Sequence, residues 1–230
     1  MTKYELRNTK YNPRSGSHFV LRTSSFVLFC CLARAEIIDR IAVTIDSQPI
    51  TESQLLGELR VTAFLNGEKP DLSPANRRRT ADRLVEQALI RREMEFTHYT
   101  VPEGAEIEGA LKAVKSRFAG QAAFERELKA YGIGADELDR ALARQAAVLR
   151  FIELRFRPQV QVLEAEVRQY YETVYLAECQ RKQLRPASFE EARRQCEEAL
   201  AQHRVDKQVD AWLAEVKGRT RIRYTEAAFQ

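Results

Sequence analysis

The stretch Ile37–Arg60, IIDRIAVTIDSQPITESQLLGELR, most narrows what this chain can fold into, because its apolar period changes within a few residues. From Arg40 to Asp46, Ile41, Val43 and Ile45 alternate with Ala42 and Thr44, which is the period of a half-buried strand. Asp46-Ser47-Gln48-Pro49 then reads as a turn. Thr51 stands three residues before Gln54, the spacing of a capping box. A helix is therefore expected to start at Glu52.

From Glu52 onward the chain is patterned mostly for helices. Nine Gly and seven Pro are few for 230 residues, and Ala, Glu, Arg, Leu and Gln dominate, so the expected class is mainly α. Glu52–Leu65 carries Leu55, Leu56, Leu59 and Phe64 on one face and ends at Asn66-Gly67, a left-handed cap signal. Ser73-Pro74, an N-cap followed by proline at the first helical position, opens a helix to about Phe96. Its stripe of Ala81, Leu84, Val85, Ala88, Leu89 and Ile90 places it at the centre of the core. Beyond the break at Thr100-Val101-Pro102, helices are expected over Glu103–Phe118 (Ile107, Leu111, Val114, Phe118), Ala122–Tyr131 (Phe124, Leu128) and Ala135–Phe156. Pro158 ends the last of these, since it lacks the amide that would continue the helix. Glu164–Gln183 is expected as a further helix. Ser188 with Glu191 forms a second capping box, opening Phe189–Lys217, and Thr220–Thr225 alternates as a strand.

The N-terminus has a different character. Phe26–Ala33, FVLFCCLA, is apolar, comes after Arg22, and precedes the small-x-small triplet Ala33-Arg34-Ala35. It is far shorter than the roughly 20 apolar residues of a spanning helix, so residues 1–35 are expected to be a signal peptide cut after Ala35 and the remainder a single domain without stable membrane insertion. A lipid anchor at Cys30 or Cys31 is disfavoured by the bulky residue before each. Of the 37 Lys and Arg and 33 Asp and Glu, the first 35 residues hold six and one, which leaves 31 bases against 32 acids in the rest. That near-neutral balance argues against nucleic acid as a partner. Arg77-Arg78-Arg79 is the one tight basic run and reads as a solvated first helical turn, although three cations there oppose the helix dipole slightly.

The opening strand, the turn and "P-I-T-x-S-x-L", carried here by Ile41, Val43, Pro49, Ile50, Thr51, Ser53 and Leu55, resemble the start of the SurA-type periplasmic chaperones and their peptidyl-prolyl isomerase relatives. The later succession "LVEQALIRREMEF", "F-x-x-x-L-x-x-Y-G-I" and "A-D-E-L" is similar to the N-terminal domain of the same family. The resemblance implies a multi-helix chaperone domain over residues 36–230. It also implies that a C-terminal helix and strand, about 188–225, return to close a small sheet, with Arg221–Tyr224 beside Ile41–Val43. Where the family enters a parvulin-type isomerase domain, after Val160-Gln161-Val162, this chain runs through Glu164–Gln183 and Arg185-Pro186-Ala187 into a new helix. The Gly-Gly-Asp-Leu-Gly region of parvulins is absent, so prolyl isomerase activity is not expected.

Candidate chemistry is sparse. His98 and His203 stand at no metal-ligand spacing, and neither a phosphate-binding glycine loop nor a Gly-x-Ser-x-Gly turn is present. No enzyme, metal site or cofactor is therefore expected. Cys179 and Cys196 flank the Leu184–Ser188 turn at similar distances on two helices, and either a disulfide or two buried thiols satisfies that placement. Leu56, Leu59, Phe64, Val114, Phe118, Phe124 and Leu128 are the candidate lining of a client-binding cradle, with Tyr170, Tyr171, Tyr175 and Trp212 as an aromatic platform. The same helical spacings equally describe core packing.

The resemblance implies a periplasmic, ATP-independent holding chaperone for unfolded exported or outer-membrane proteins, without the isomerase domain. The alternative is a structural or adaptor component of an envelope complex that holds one folded partner. A second copy covering the cradle, as a dimer, is compatible with either.

Overall fold

The computed structural model describes residues 39–99 and 105–230. The expected signal peptide, the Thr100-Val101-Pro102 break and the side chain of Ile107 lie outside the described residues. The described chain is mainly helical, with one three-stranded antiparallel sheet of order β2-β1-β3: β1 is Ile41–Ile45, β2 Gln48–Thr51 and β3 Ile222–Tyr224.

The sheet departs from expectation in three ways. First, Gln48-Pro49 is not part of a turn: β1 and β2 form a hairpin around Asp46-Ser47, with Asp46 at φ 53°. Asp46 holds that left-handed conformation with its carboxylate, which accepts from Arg92 at 2.7 Å and from the Arg221 amide at 3.1 Å. Pro49 is tolerated because β2 is an edge strand, where a missing N–H breaks no interior ladder. Second, the register slips between Ile41 and Val43, so Ala42 and Val43 both turn inward, whereas Ile41 is 46% exposed. The strict alternation expected of β1 fails at this bulge. Third, β3 pairs as Val43↔Tyr224, Thr44↔Arg223 and Ile45↔Ile222, nearer the hairpin turn than the expected Ile41–Val43.

The helices are α1 (Glu52–Asn66), α2 (Pro74–Phe96), α3 (Ala105–Lys115), α4 (Gln121–Tyr131), α5 (Ala135–Phe156), α6 (Glu164–Tyr170), α7 (Leu176–Arg181) and α8 (Phe189–Arg219). α1 starts with both halves of the Thr51/Gln54 box and ends at Gly67 with φ 71°. The Glu52 amide donates to the Arg40 carbonyl at 2.7 Å, which ties the helix start to the sheet. Phe118 lies in the turn after α3 rather than in the helix. The expected single helix Glu164–Gln183 is interrupted by a π turn, Tyr171–Tyr175, between α6 and α7. At Ser188, the amide and hydroxyl both donate to Glu191 at 2.9 and 2.7 Å.

Three apolar clusters organise these elements. The main core joins the sheet to α2, the end of α5 and the C-terminal half of α8 through Val43, Leu55, Val85, Leu89, Phe151, Val205 and Phe229. Burying each such side chain is worth roughly 1.5–3 kcal/mol. A second cluster packs Val61 and Phe64 of α1 against α3, α4 and the start of α5. The third is small: Val167, Ala192 and Cys196, flanked by Tyr170, Tyr171, Tyr175 and Phe189, hold α6, the π turn and the start of α8 together as an arm.

A short turn, Glu226–Phe229, comes after β3 and buries Ala228 and Phe229 in the main core. Here two of the three arginines expected as a solvated turn form a clasp, while Arg79 is exposed. Arg77, its side chain only 17% exposed, donates to the Ala228 carbonyl at 3.3 Å and pairs with Glu52. The Arg78 guanidinium lies 3.6 Å from the Tyr224 ring centroid, and the Tyr224 hydroxyl donates to Asp82 at 2.6 Å. Among the described residues, no helix is long and apolar enough to cross a membrane.

Candidate functional site

Five of the proposed cradle residues, Phe64, Val114, Phe118, Phe124 and Leu128, belong to the second core; Leu56 and Leu59 lie outside it. Leu59, Phe64, Val114, Phe124 and Leu128 are buried, and Leu56 and Phe118 are half-buried. Phe64 stacks on Phe118 at 5.7 Å and meets Phe124 and Tyr131 edge-on at 6.1 and 5.5 Å, a closed aromatic cluster whose faces are already occupied. In this arrangement Phe64, Val114, Phe118, Phe124 and Leu128 act as packing residues, the alternative their spacing also allows. The aromatic platform is divided as well. Tyr171 and Tyr175 stack in the arm at 5.3 Å, while Trp212 packs against Phe156 in the main core at 5.9 Å.

Cys179 and Cys196 are both buried and both free thiols. Burial, and then the neighbouring Cys179, raises the Cys196 thiol pKa, which keeps it protonated and unreactive near neutrality. His98 and His203 are exposed. Among the described residues, no group of three or more His, Cys, Asp or Glu side chains is placed to hold a metal ion.

An opening of a different kind lies between α1, α2 and α5. Its largest part is a cavity of ≈ 400 Å3 lined by Gly57 and Glu58 of α1, Gln87 and Arg91 of α2, and Glu137, Arg140 and Arg144 of α5. Two further cavities, each of ≈ 190 Å3, share Gln87 and Arg144 with it. One of these has an apolar wall of Met94, Ala147 and Val148. The other reaches Arg83, whose guanidinium donates to Thr62 and Thr80 at 3.2 and 3.4 Å.

The walls are built from specific sequence choices. Gly57 lets the α5 carboxylate approach α1, since a Cβ there would stand 2.6 Å from Glu137 Oε1. Glu137 in turn accepts from the Gly134 amide at 3.4 Å, capping α5 without a side chain at the cap position. Glu58 pairs with Arg144 at 3.8 Å. Both acids of the large cavity therefore face partners. Arg91 and Arg140, both exposed, have no carboxylate within ion-pair distance among the described residues. The result is a concave, mixed apolar and polar surface with surplus positive charge.

Sequence reasoning singled out none of these arginines, because an exposed arginine on a helix usually faces solvent. The one usable signal was the i, i+4 pair Arg140/Arg144 on α5, which places two cations on one helix face. No known family's sequence pattern matches the chain, and no curated protein matches it.

Proposed function

We propose that the protein is an ATP-independent holding chaperone of the periplasm, built on a SurA N-terminal-like domain that lacks an isomerase domain. The observation that carries this assignment is the order in which the chain closes. A strand leading into a capped helix opens the described chain, a helical body comes next, and a last helix delivers β3 back to β1. That order is the one the sequence resemblance implies. The arm of α6 to α8 stands where the family enters its isomerase domain. The opening between α1, α2 and α5 supplies an unfilled concave surface, in place of the residues that pack the second core.

The mechanism is reversible capture of an unfolded, aromatic-rich segment of an exported or outer-membrane protein. With no phosphate-binding motif in the sequence, release results from the client folding or passing to a receiver. The test is light scattering from an unfolded outer-membrane barrel protein and an unrelated unfolded protein, each with and without the full-length chain at matched concentration. Suppression of both is the expected result. Suppression of neither overturns the assignment in favour of an adaptor that holds one folded partner, which would then show a single saturable interface.

A further inference from the structure

The opening between α1, α2 and α5 has a charge and a shape that narrow its ligand. Along α5 its lining runs from Glu137 to Val148, which at 1.5 Å per residue is about 16 Å. An extended chain rises about 3.3 Å per residue, so the groove spans on the order of five peptide residues. Arg91 and Arg144 line both the large polar cavity and the apolar one formed with Met94 and Val148. A ligand seated there meets cationic side chains and an apolar hole side by side.

We propose that this groove is a peptide site, and that it takes an extended internal segment in which an acidic side chain neighbours an apolar one. The carboxylate faces Arg91 and Arg140, and the apolar side chain enters the space walled by Met94, Ala147 and Val148. The charge requirement comes from the pairing already present. Glu58 is engaged by Arg144 and Glu137 by the Gly134 amide, so Arg91 and Arg140 are the cations of the large cavity that lack an acid among the described residues, while Arg83, in the adjoining cavity, is held by Thr62 and Thr80. A basic segment would add like charge to that surplus, and a wholly apolar one would cover both guanidiniums without replacing their water. The site rests on the client-binding assignment for its biological use, but its chemistry is independent of it.

The probe is fluorescence anisotropy of labelled eight-residue peptides, acetylated and amidated, bound to the full-length chain. One peptide alternates Asp with Leu or Phe, a second replaces each Asp by Asn, and a third replaces each Asp by Lys. The Asp peptide is expected to bind on the order of tenfold more tightly than the Asn peptide, with the Lys peptide weakest. The preference should fade as salt rises toward about 0.5 M. In R91Q/R140Q, which removes both charges at two exposed positions, the Asp and Asn peptides should bind alike. R181Q/R219Q removes two cations on α7 and α8, away from the groove, and should leave the preference unchanged.

Equal binding of Asp and Asn peptides to the unaltered chain overturns the proposal without needing any variant. So does equal loss in both variant pairs, or tighter binding of the Asn peptide with a free C-terminal carboxylate than of the amidated Asp peptide. The last result would assign the groove to chain ends. Suppressed aggregation with no Asp preference removes this site and leaves the chaperone assignment standing. Asp preference without suppression does the reverse.

Discussion

At the scale of single residues, Tyr224 shows how a short strand is held at the edge of a helical protein. Its ring lies under Arg78, and its hydroxyl donates to Asp82 at 2.6 Å. Burial, and after it the bond to Asp82, raises the phenol pKa well above its usual value near 10. The native state therefore keeps a proton that the unfolded chain releases. The corresponding stability is complete below about pH 10 and is lost as pH rises toward the folded value. Tyr224→Phe keeps the ring and its stacking but removes the hydrogen bond to a charged acceptor, so it should cost about 1–2 kcal/mol at pH 7. Thermal melts from about pH 9 to 11.5 should show the unaltered protein losing stability more steeply above pH 10 than Tyr224→Phe does. Parallel slopes and equal stability at pH 7 would remove Tyr224 from the clasp. Arg77 and Arg78 were visible in the sequence, but the C-terminal partners that make the clasp, Ala228 and Tyr224, lie about 150 residues away. No local pattern could have named them.

At the scale of elements, local physics made most helices legible, and long-range packing decided what was not. Thr51, Ser73, Gly67 and Pro158 fix helix ends through groups within four residues, and these ends delimit α1, α2 and α5. β2 was missed because Pro49 is a turn residue by composition, and only its place at the sheet edge permits a strand. The π turn at Tyr171–Tyr175 was hidden in an unbroken helical pattern. There the two tyrosines stack, Tyr171 donates to the Ala187 carbonyl at 2.7 Å, and Tyr175 accepts from the Ala187 amide at 3.4 Å. The cradle residues were legible as an apolar face, but a periodic face does not reveal whether another helix covers it. The arm's apolar cluster has three buried residues against eighteen in that of the main core among the described residues, so the arm should open separately. Val167→Ala, at a position 2% exposed, should remove about 2 kcal/mol. Hydrogen exchange is then expected to lose roughly 30-fold of its protection in α6 and α7, with α2 unchanged. An equal loss in α2 would show that arm and body unfold as one unit.

For the whole molecule, the decisive contact joins the two ends of the described chain. Val43 pairs with Tyr224, the Thr225 amide donates to the Ala42 carbonyl at 2.9 Å, and Phe229 enters the core beside β1 and α2. Closing a loop of this length before any other contact forms would cost on the order of 4–5 kcal/mol in chain entropy. The helical pairs α1 with α2 and α3 with α5 form from much nearer segments and can shorten that loop first. The sheet edge should therefore close after the transition state for folding. Phe229→Ala tests this, since the ring is 7% exposed and its removal should cost about 3–4 kcal/mol. In stopped-flow denaturant jumps nearly all of that loss should appear as faster unfolding, by roughly 200-fold or more, with the folding rate almost unchanged. A comparable slowing of folding would instead place the C-terminal clasp in the nucleus. The helical body would then depend on its last residues to assemble, and the groove between α1, α2 and α5 could form only after the clasp had closed.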